Sequence, residues 1–226
     1  MEHILAKISI MLVPALLAIT AHEVAHGFLA DKLGDPTARL LGRLTLNPFK
    51  HLDPIGTVAL LFVGFGWARP VPVNFNNLAR PKKDMIWVAL AGPLTNFGLA
   101  LLSVLLLKVL VYLGKAFPDG SLAQVFQPLS LMAAFSLYIN VILAVFNLLP
   151  IPPLDGGRVL IGLLPEKQGD FIARFEAFGF VILLLVIFAT PVWSLVLQPI
   201  IHFIVATLAG ADTLVVARVI DFLFSH

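Results

Sequence analysis

A short motif near the N-terminus has the residue types and the spacing of a metal site. His22, Glu23 and His26 form an H-E-x-x-H sequence. On a helix, two histidines four residues apart lie on one face, about 5–6 Å from each other. Two imidazoles in that position can bind one metal ion, and the intervening glutamate can act as general base toward a water molecule at the metal. The alternative is a chance match of histidines that are satisfied by core neighbours.

The composition places this motif inside a membrane. Of the 226 residues, 59% are hydrophobic and only 12% are charged, against about 25% in ordinary soluble domains, and the mean hydropathy is +0.98. These values exclude a disordered chain, a nucleic-acid-binding domain and a typical cytosolic enzyme, and they indicate an integral membrane protein. A charged group within a span costs at least about 2.5–3.5 kcal/mol, so three ionisable residues there favour a metal site over chance.

A catalytic zinc ion needs three protein ligands and an open position for water. Because the chain has no cysteine, the third ligand must come from His, Asp or Glu, and the candidates are Asp31, Asp35, His51, Asp53, Asp155 and His202. Asp155 is favoured because prolines end the preceding helix and two glycines, Gly156 and Gly157, let the backbone turn sharply. Its carboxylate could then point back into the protein. The alternative is an ordinary Asp-Gly turn at a helix end.

The hydropathy pattern predicts the helices that must position these residues. A crossing takes about 20 helical residues, so this length allows roughly five or six transmembrane helices. Four apolar stretches are long enough to cross: 4–30, 85–107, 121–149 and 177–211. The last contains two prolines and is either one kinked span or a broken pair. The first is interpreted as a retained membrane helix rather than a signal peptide, because its basic n-region is thin.

The pattern changes between the first two long spans. Residues 55–68 are apolar but too few for a span, which favours a re-entrant hairpin, and 71–75 alternates like a short edge strand. The sequence therefore predicts an all-α integral membrane protein of about five to six transmembrane helices, with a re-entrant or short β-containing segment between the first two long spans. We expect one polytopic domain over 1–226, with a catalytic core at about 4–165. Helices at about 170–226 follow it, and the tail is expected to be an amphipathic helix at the interface.

The placement of lysine and arginine predicts the orientation of the chain. Eight basic residues fall within 31–83, whereas few lie in the connection around Lys115. Residues 31–83 and 156–174 should therefore be cytoplasmic, and the connection around Lys115 should be external. This orientation puts the end of the first span and Asp155 on the same side of the membrane, which favours their pairing.

Four stretches of the sequence carry a family resemblance: HEVAHGFLADKLGDPTAR, NPFKHLDPIGT, AGPLTNFGLA and FNLLPIPPLDGGRVL. Together, over about residues 14–164, they resemble the site-2 protease family of intramembrane zinc metalloproteases, and in particular its small bacterial members without PDZ or CBS domains. The resemblance implies that His22, His26 and Asp155 bind one Zn2+ ion per chain and that Glu23 is the general base.

The resemblance also implies roles for three positions outside the metal ligands. Gly92 and Asn96 match a GxxxN element that lies near the bound substrate in the family. Asn147 matches an asparagine that is thought to help hold the substrate or the oxyanion, so it is counted with Glu23 as catalytic. The alternatives are close helix packing for Gly92 and interhelical hydrogen bonds for the two asparagines.

The implied function is hydrolysis of peptide bonds within or near transmembrane segments of single-span membrane proteins. The expected partners are these substrates and the lipid bilayer, with no nucleic acid, and the active site should open to the cytoplasm from a bacterial plasma membrane. A divalent-metal transporter is an alternative, but the paired halves typical of transporters are missing and Glu23 would have no role. A catalytically inactive relative that binds membrane partners is disfavoured because the four central residues are intact.

Overall fold

The computed structural model describes residues 2–56, 58, 66–117 and 121–224, and these are helical over most of their length. Four helical segments are long and apolar enough to cross a membrane: Lys7–Lys32, Pro81–Ala116, Gln124–Asn147 and Trp193–Leu223. No strand occurs among the described residues. The prediction of an all-α membrane protein is therefore confirmed at this level, whereas the count of five to six crossings stays a prediction.

Three long helices form the centre of the molecule. They are α1 (Glu2–Lys32), α3 (Pro81–Ala116) and α4 (Ser121–Asn147), and a short α2 (Thr37–Leu40) follows α1. Small residues lie at their contacts: Ala18, Ala100 and Ala134 are fully buried. Small side chains allow helix backbones to approach closely, which is how helices associate in a membrane, where an apolar surface gains little from leaving lipid.

The C-terminal region is a series of shorter helices. They are α5 (Asp155–Leu163), α6 (Glu166–Arg174), α7 (Glu176–Ala189), a π-helical turn (Trp193–Leu197), α8 (Gln198–Ala209) and α9 (Thr213–Phe224). The helical run predicted over 177–211 breaks at residues 190–191, and the candidate span in this region is Trp193–Leu223. Whether 177–211 crosses once or as a broken pair stays a prediction. The tail forms α9, which buries Val216, Val219 and Leu223 in the core that includes α4, and its position at the interface stays a prediction.

The segment between α2 and α3 is irregular in the part that the structure describes. The re-entrant hairpin predicted over 55–68 lies largely outside the described residues. On either side of it, Leu52 and Ala68 form an isolated antiparallel bridge, and Arg69 N donates to His51 O at 2.8 Å. The edge strand predicted over 71–75 is not formed. Prolines at 70 and 72 remove the N–H donors from one edge of the segment, and no strand among the described residues pairs with its other edge.

Asp35 ties the end of α1 to the segment that precedes α3. Its buried carboxylate accepts hydrogen bonds from Thr37 N at 3.2 Å, Asn74 N at 2.7 Å and Asn77 Nδ2 at 2.8 Å, and from the Thr37 hydroxyl. Burial by itself raises the pKa of Asp35, but these hydrogen bonds to the charged form outweigh burial, and the pKa is lowered.

We expect Asp35→Asn to lower the free energy of unfolding by about 1–3 kcal/mol at neutral pH, because a neutral amide offers one acceptor oxygen to donors that need two. A lowered folded pKa means that the stabilisation is fully present above the ordinary value of about 3.9 and is lost as pH falls through the folded value. Thermal unfolding of both proteins in detergent micelles across pH 3–7 measures this difference. The exposed Asp170→Asn variant is the control, and an equal, pH-independent loss in both variants would contradict the assignment.

Candidate metal centre

Three acceptor atoms from two helices meet at one point between α1, α3 and α5. His22 Nε2 and His26 Nε2 lie 3.0 Å apart, and Asp155 Oδ2 lies 3.2 Å from the first and 3.3 Å from the second. The two histidines are 6% and 9% exposed, and the Asp155 side chain is 13% exposed. Among the described residues this is the one group of three His, Asp or Glu side chains whose donor atoms could hold a metal ion.

The spacing of these atoms fits a tetrahedral zinc ion. Ligand bonds of about 2.0–2.1 Å place neighbouring ligand atoms about 3.3–3.4 Å apart, close to the three separations found here. Asp155 Oδ2 is buried and has no hydrogen-bond partner within the protein. Two imidazolium rings with nitrogen atoms 3.0 Å apart would repel each other, so protonation of both histidines does not neutralise the cluster. A bound cation satisfies all three atoms at once.

The hydrogen bonds behind the histidines direct their lone pairs toward the cluster. His26 Nδ1 lies 2.7 Å from Val88 O, which can only accept, so Nδ1 carries the proton. His22 Nδ1 lies 2.5 Å from Asn96 Oδ1. Asn96 Nδ2 donates elsewhere, at 3.2 Å to Ala18 O, so the amide oxygen is the atom that faces His22. Both neutral rings therefore keep Nε2 unprotonated, which is the form that binds metal.

Successive turns of α3 supply this support from one face. Val88, Gly92 and Asn96 are spaced four residues apart and lie toward the two histidine rings. At Gly92 a Cβ would lie 2.6 Å from His22 Nε2 and even closer to His26 Nε2. The missing side chain is therefore a requirement of the histidine cluster, which explains why the position is a glycine.

Asp155 is the first residue of α5, directly after the break that ends α4. The two glycines that follow it do not act as the sequence predicts, because neither has a positive φ. They are needed for space: a Cβ on Gly157 would lie 2.7 Å from the carbonyl carbon of Ile151. The tight packing of the α5 N-terminus on the break brings the carboxylate to the histidines.

Glu23 lies on the same helix as the histidines and is half-buried. Its Oε2 accepts a hydrogen bond from Val71 N at 2.8 Å. Arg43 also holds this segment, since its Nη2 donates to Arg69 O at 2.9 Å and to Pro70 O at 3.3 Å. Close packing helps to fix the contact, because a Cβ on Gly27 would lie 2.7 Å from the Val71 side chain.

The remaining candidates for the third ligand have other partners or positions. Asp31 pairs with Arg39 at 2.8 Å, and Asp53 accepts from Gly56 N at 2.8 Å. His51 is buried and its Nε2 donates to Thr45 O at 2.8 Å. The other two are Asp35, bonded as described above, and His202, which is exposed on α8.

Asn147 is half-buried at the end of α4, where its Nδ2 donates to Leu143 O at 2.9 Å. This bond lies within its own helix, and the role predicted for Asn147 stays a prediction. Sequence reasoning missed Asn140, a buried asparagine whose Oδ1 accepts from Asn96 Nδ2 at 2.8 Å. The one available signal was an amide within an otherwise apolar span.

The family model of peptidase family M50 matches residues 10–190 of this chain. The chain belongs to peptidase family M50. This membership confirms the resemblance to the site-2 proteases. No solved structure gives a significant match.

Named relatives agree with this membership. The provisionally named zinc metalloprotease YwhC of Bacillus subtilis is 39% identical over 204 residues, which cover 90% of this chain and 88% of the relative. The provisionally named zinc metalloprotease Rip2 of Mycolicibacterium smegmatis is 34% identical over 78% of this chain and 65% of its own length. Zinc metalloprotease MJ0392 of Methanocaldococcus jannaschii is 27% identical over 71% of this chain and 36% of its own length.

These findings establish the coarse function of this M50 peptidase. It is a membrane metalloprotease whose cofactor is zinc, and its His–His–Asp group can hold one ion. The predicted cofactor is thereby confirmed.

Gly92→Ala tests the position of the ion. We expect the zinc dissociation constant to rise at least about tenfold, because the new methyl group displaces the ligand nitrogens of both histidines. Competition with a chromophoric chelator, using the purified protein in detergent, measures the change. Gly98→Ala on the same helix is the matched control, since its Cβ would meet no atom within 4 Å. Equal zinc binding by the two variants would show that the ion lies elsewhere.

Proposed function

We propose that this M50 peptidase is an intramembrane protease that hydrolyses peptide bonds within or near transmembrane segments of single-span membrane proteins. The observation that carries the proposal is the position of the His–His–Asp group within a candidate membrane span. His22 lies ten residues before the end of α1, or about 15 Å along the helix, which is about half of a bilayer core. A peptide bond must enter the membrane region to reach a site at this depth.

Each central residue has a role that fits its surroundings. His22, His26 and Asp155 would hold the zinc ion. When bound, zinc would polarise water and the substrate carbonyl. Glu23, half-buried and on the same helix, would take a proton from water and return it to the leaving amine. Asn147 is proposed to help hold the substrate or the developing oxyanion.

The substrate must be unwound before it can react, because a helix hides its carbonyls in its own hydrogen bonds. The segment around Val71 is suited to capture an extended strand. Val71 precedes a proline and so favours extended backbone. Between residues 70 and 73, only Val71 and Val73 have backbone N–H groups, and alternate residues of an extended chain point to the same side. The edge with donors is therefore the edge that faces Glu23.

Contacts on both sides hold this segment in place. Asn74 N donates to the Asp35 carboxylate, and the Arg158 guanidinium lies 5.0 Å from the centre of the Phe75 ring. Arg158 belongs to α5, one turn after Asp155. The segment is therefore attached to both helices that supply the ligand side chains. A substrate strand paired with it would lie alongside the metal centre, by β-strand addition.

We further propose that the site opens to the cytoplasm from a bacterial plasma membrane. The excess of basic residues within 31–83 supports this orientation. The segment around Val71 would then lie at the cytoplasmic entrance. Gly92 and Asn96, which the sequence places near the substrate, lie behind the histidines, and we propose that they support the ligands.

Glu23→Gln separates the chemical step from metal binding. We expect cleavage of a tagged single-span substrate to fall by at least about a hundredfold, because the amide cannot take up a proton. Bound zinc should stay at the wild-type level, since Glu23 is not a ligand. Co-expression followed by detection of the cleaved fragment measures the first effect, and metal analysis of the purified protein measures the second.

Two results would contradict the proposed function. Equal cleavage by the wild type and by Glu23→Gln would remove the general base from the mechanism. Zinc uptake into vesicles that contain the purified protein, with no proteolysis, would favour the transporter.

Val71→Pro tests the donor edge. Loss of the Val71 N–H should lower kcat/KM about tenfold, which corresponds to about 1.4 kcal/mol for one lost hydrogen bond. Val71→Ala keeps the N–H and controls for the lost packing. If the two variants cleave equally well, the substrate does not use this N–H.

A further inference from the structure

A series of hydrogen-bonded polar groups, buried or half-buried, leads from the metal centre into the interface between α3 and α4. Asn96 Nδ2 lies 2.8 Å from Asn140 Oδ1, and Asn140 Nδ2 lies 2.8 Å from Ser136 O and 3.3 Å from Ser136 Oγ. Ser136 Oγ is in turn 2.8 Å from Ser103 Oγ, which lies 2.7 Å from Leu99 O. Asn96 and Asn140 are 0% and 1% exposed, so water does not complete their hydrogen bonds.

Backbone carbonyls determine the direction of every hydrogen bond in this series of polar side chains. Leu99 O can only accept, so the Ser103 hydroxyl donates to it and must accept from the Ser136 hydroxyl. Ser136 O can only accept, so the amide nitrogen of Asn140 faces it. The amide oxygen of Asn140 therefore faces Asn96 and binds its nitrogen. The amide oxygen of Asn96 therefore faces His22 Nδ1.

The direction matters because it decides which nitrogen of His22 carries the proton. With the Asn96 oxygen toward it, Nδ1 is protonated and Nε2 has a free lone pair. If the Asn96 amide turned over, its NH2 group would face Nδ1, and His22 would carry its proton on Nε2. A protonated Nε2 cannot bind a metal ion.

We propose that Asn140 is a positioning residue of the metal centre. It touches neither the zinc ligands nor the reacting groups, and it acts through Asn96. Asn140 Oδ1 accepts one N–H of the Asn96 amide at 2.8 Å, and Ala18 O accepts the other at 3.2 Å. Asn140 therefore helps to hold that amide in the orientation that keeps His22 Nε2 ready for zinc. The inference rests on the zinc site and not on the proposed cleavage of membrane substrates. The simpler role for Asn140 is a hydrogen bond that only holds α3 and α4 together.

Zinc affinity of the purified full-length protein in detergent tests the proposal. Asn140→Leu has a similar volume but no acceptor, and we expect the zinc dissociation constant to rise about three- to tenfold, the effect of one lost hydrogen bond, because Ala18 O still accepts from Asn96. Asn140→Asp should keep the wild-type affinity, because a protonated carboxyl group can accept from Asn96 and donate to Ser136 O. Leu137→Ala, a cavity in the same helix, should lower the melting temperature without this loss of affinity.

The same substitution made in an Asn96→Asp protein distinguishes a positioning role of Asn140 from a packing role. In zinc-loaded Asn96→Asp the new carboxylate stays ionised because it faces His22, which is bound to the cation. It then presents only acceptor oxygens to His22, so its orientation no longer depends on Asn140. In the Asn96→Asp background, Asn140→Leu should cause no further loss of zinc affinity. A purely structural contact predicts the same loss in both backgrounds, and that result would overturn the proposal, as would wild-type affinity in Asn140→Leu itself.

If Asn140→Leu does not fold, Asn140→Thr replaces it in both backgrounds. A threonine hydroxyl binds the carbonyl four residues before it and is too short to accept from Asn96. The same pattern of loss is expected, and its absence would overturn the proposal. These measurements need no proteolysis. If the variants show this pattern of zinc affinity but the protein cleaves no membrane substrate, the inference on Asn140 holds and the proposed function is wrong.

Discussion

Three acceptor atoms share one point inside a membrane span, and most of the surrounding structure follows from that constraint. Two imidazole nitrogens and a carboxylate oxygen within 3.3 Å of one another repel unless a cation lies between them. Lipid provides neither water nor counter-ions to relieve the repulsion. Each atom must therefore be directed by the protein itself. The face of α3 at Val88, Gly92 and Asn96 does this for the histidines, and the tight start of α5 does it for Asp155.

The sequence predicts the parts of the site that depend on local spacing. The two histidines on one turn of α1 follow from the period of a helix, and Asp155 follows from the lack of cysteine and the positive-inside bias. The support behind these residues is a matter of long-range packing. Asn140 lies 44 residues from its partner Asn96, and nothing in the spacing of a lone amide in an apolar span identifies its partner. Gly92 was predicted, but its contact with both rings could only come from the arrangement of α1 against α3.

Differences in the fold have similar causes. The strand expected over 71–75 alternates correctly, but a strand also needs a neighbouring strand, and the described residues supply none along this segment. The amphipathic tail packs one face of α9 against the core that includes α4. Both outcomes depend on tertiary neighbours, which hydropathy and periodicity do not contain. By contrast, the first three long apolar helices were predicted, because length and composition suffice to define them, whereas the fourth lies at Trp193–Leu223 rather than over 177–211.

The two functional parts of the site are held by different kinds of structure. Metal-ligand side chains come from packed helices, with buried hydrogen bonds behind each histidine. Glu23, the proposed base, instead binds the backbone of an irregular segment through Val71 N. A substrate strand that takes over the Val71 N–H would release the carboxylate without disturbing the histidines. The zinc ligands can stay rigid while Glu23 exchanges its hydrogen-bond partner, because one face of α1 packs against α3 and another faces the segment around Val71. The position of Glu23 between the two histidines of the motif places it at the boundary between these two environments.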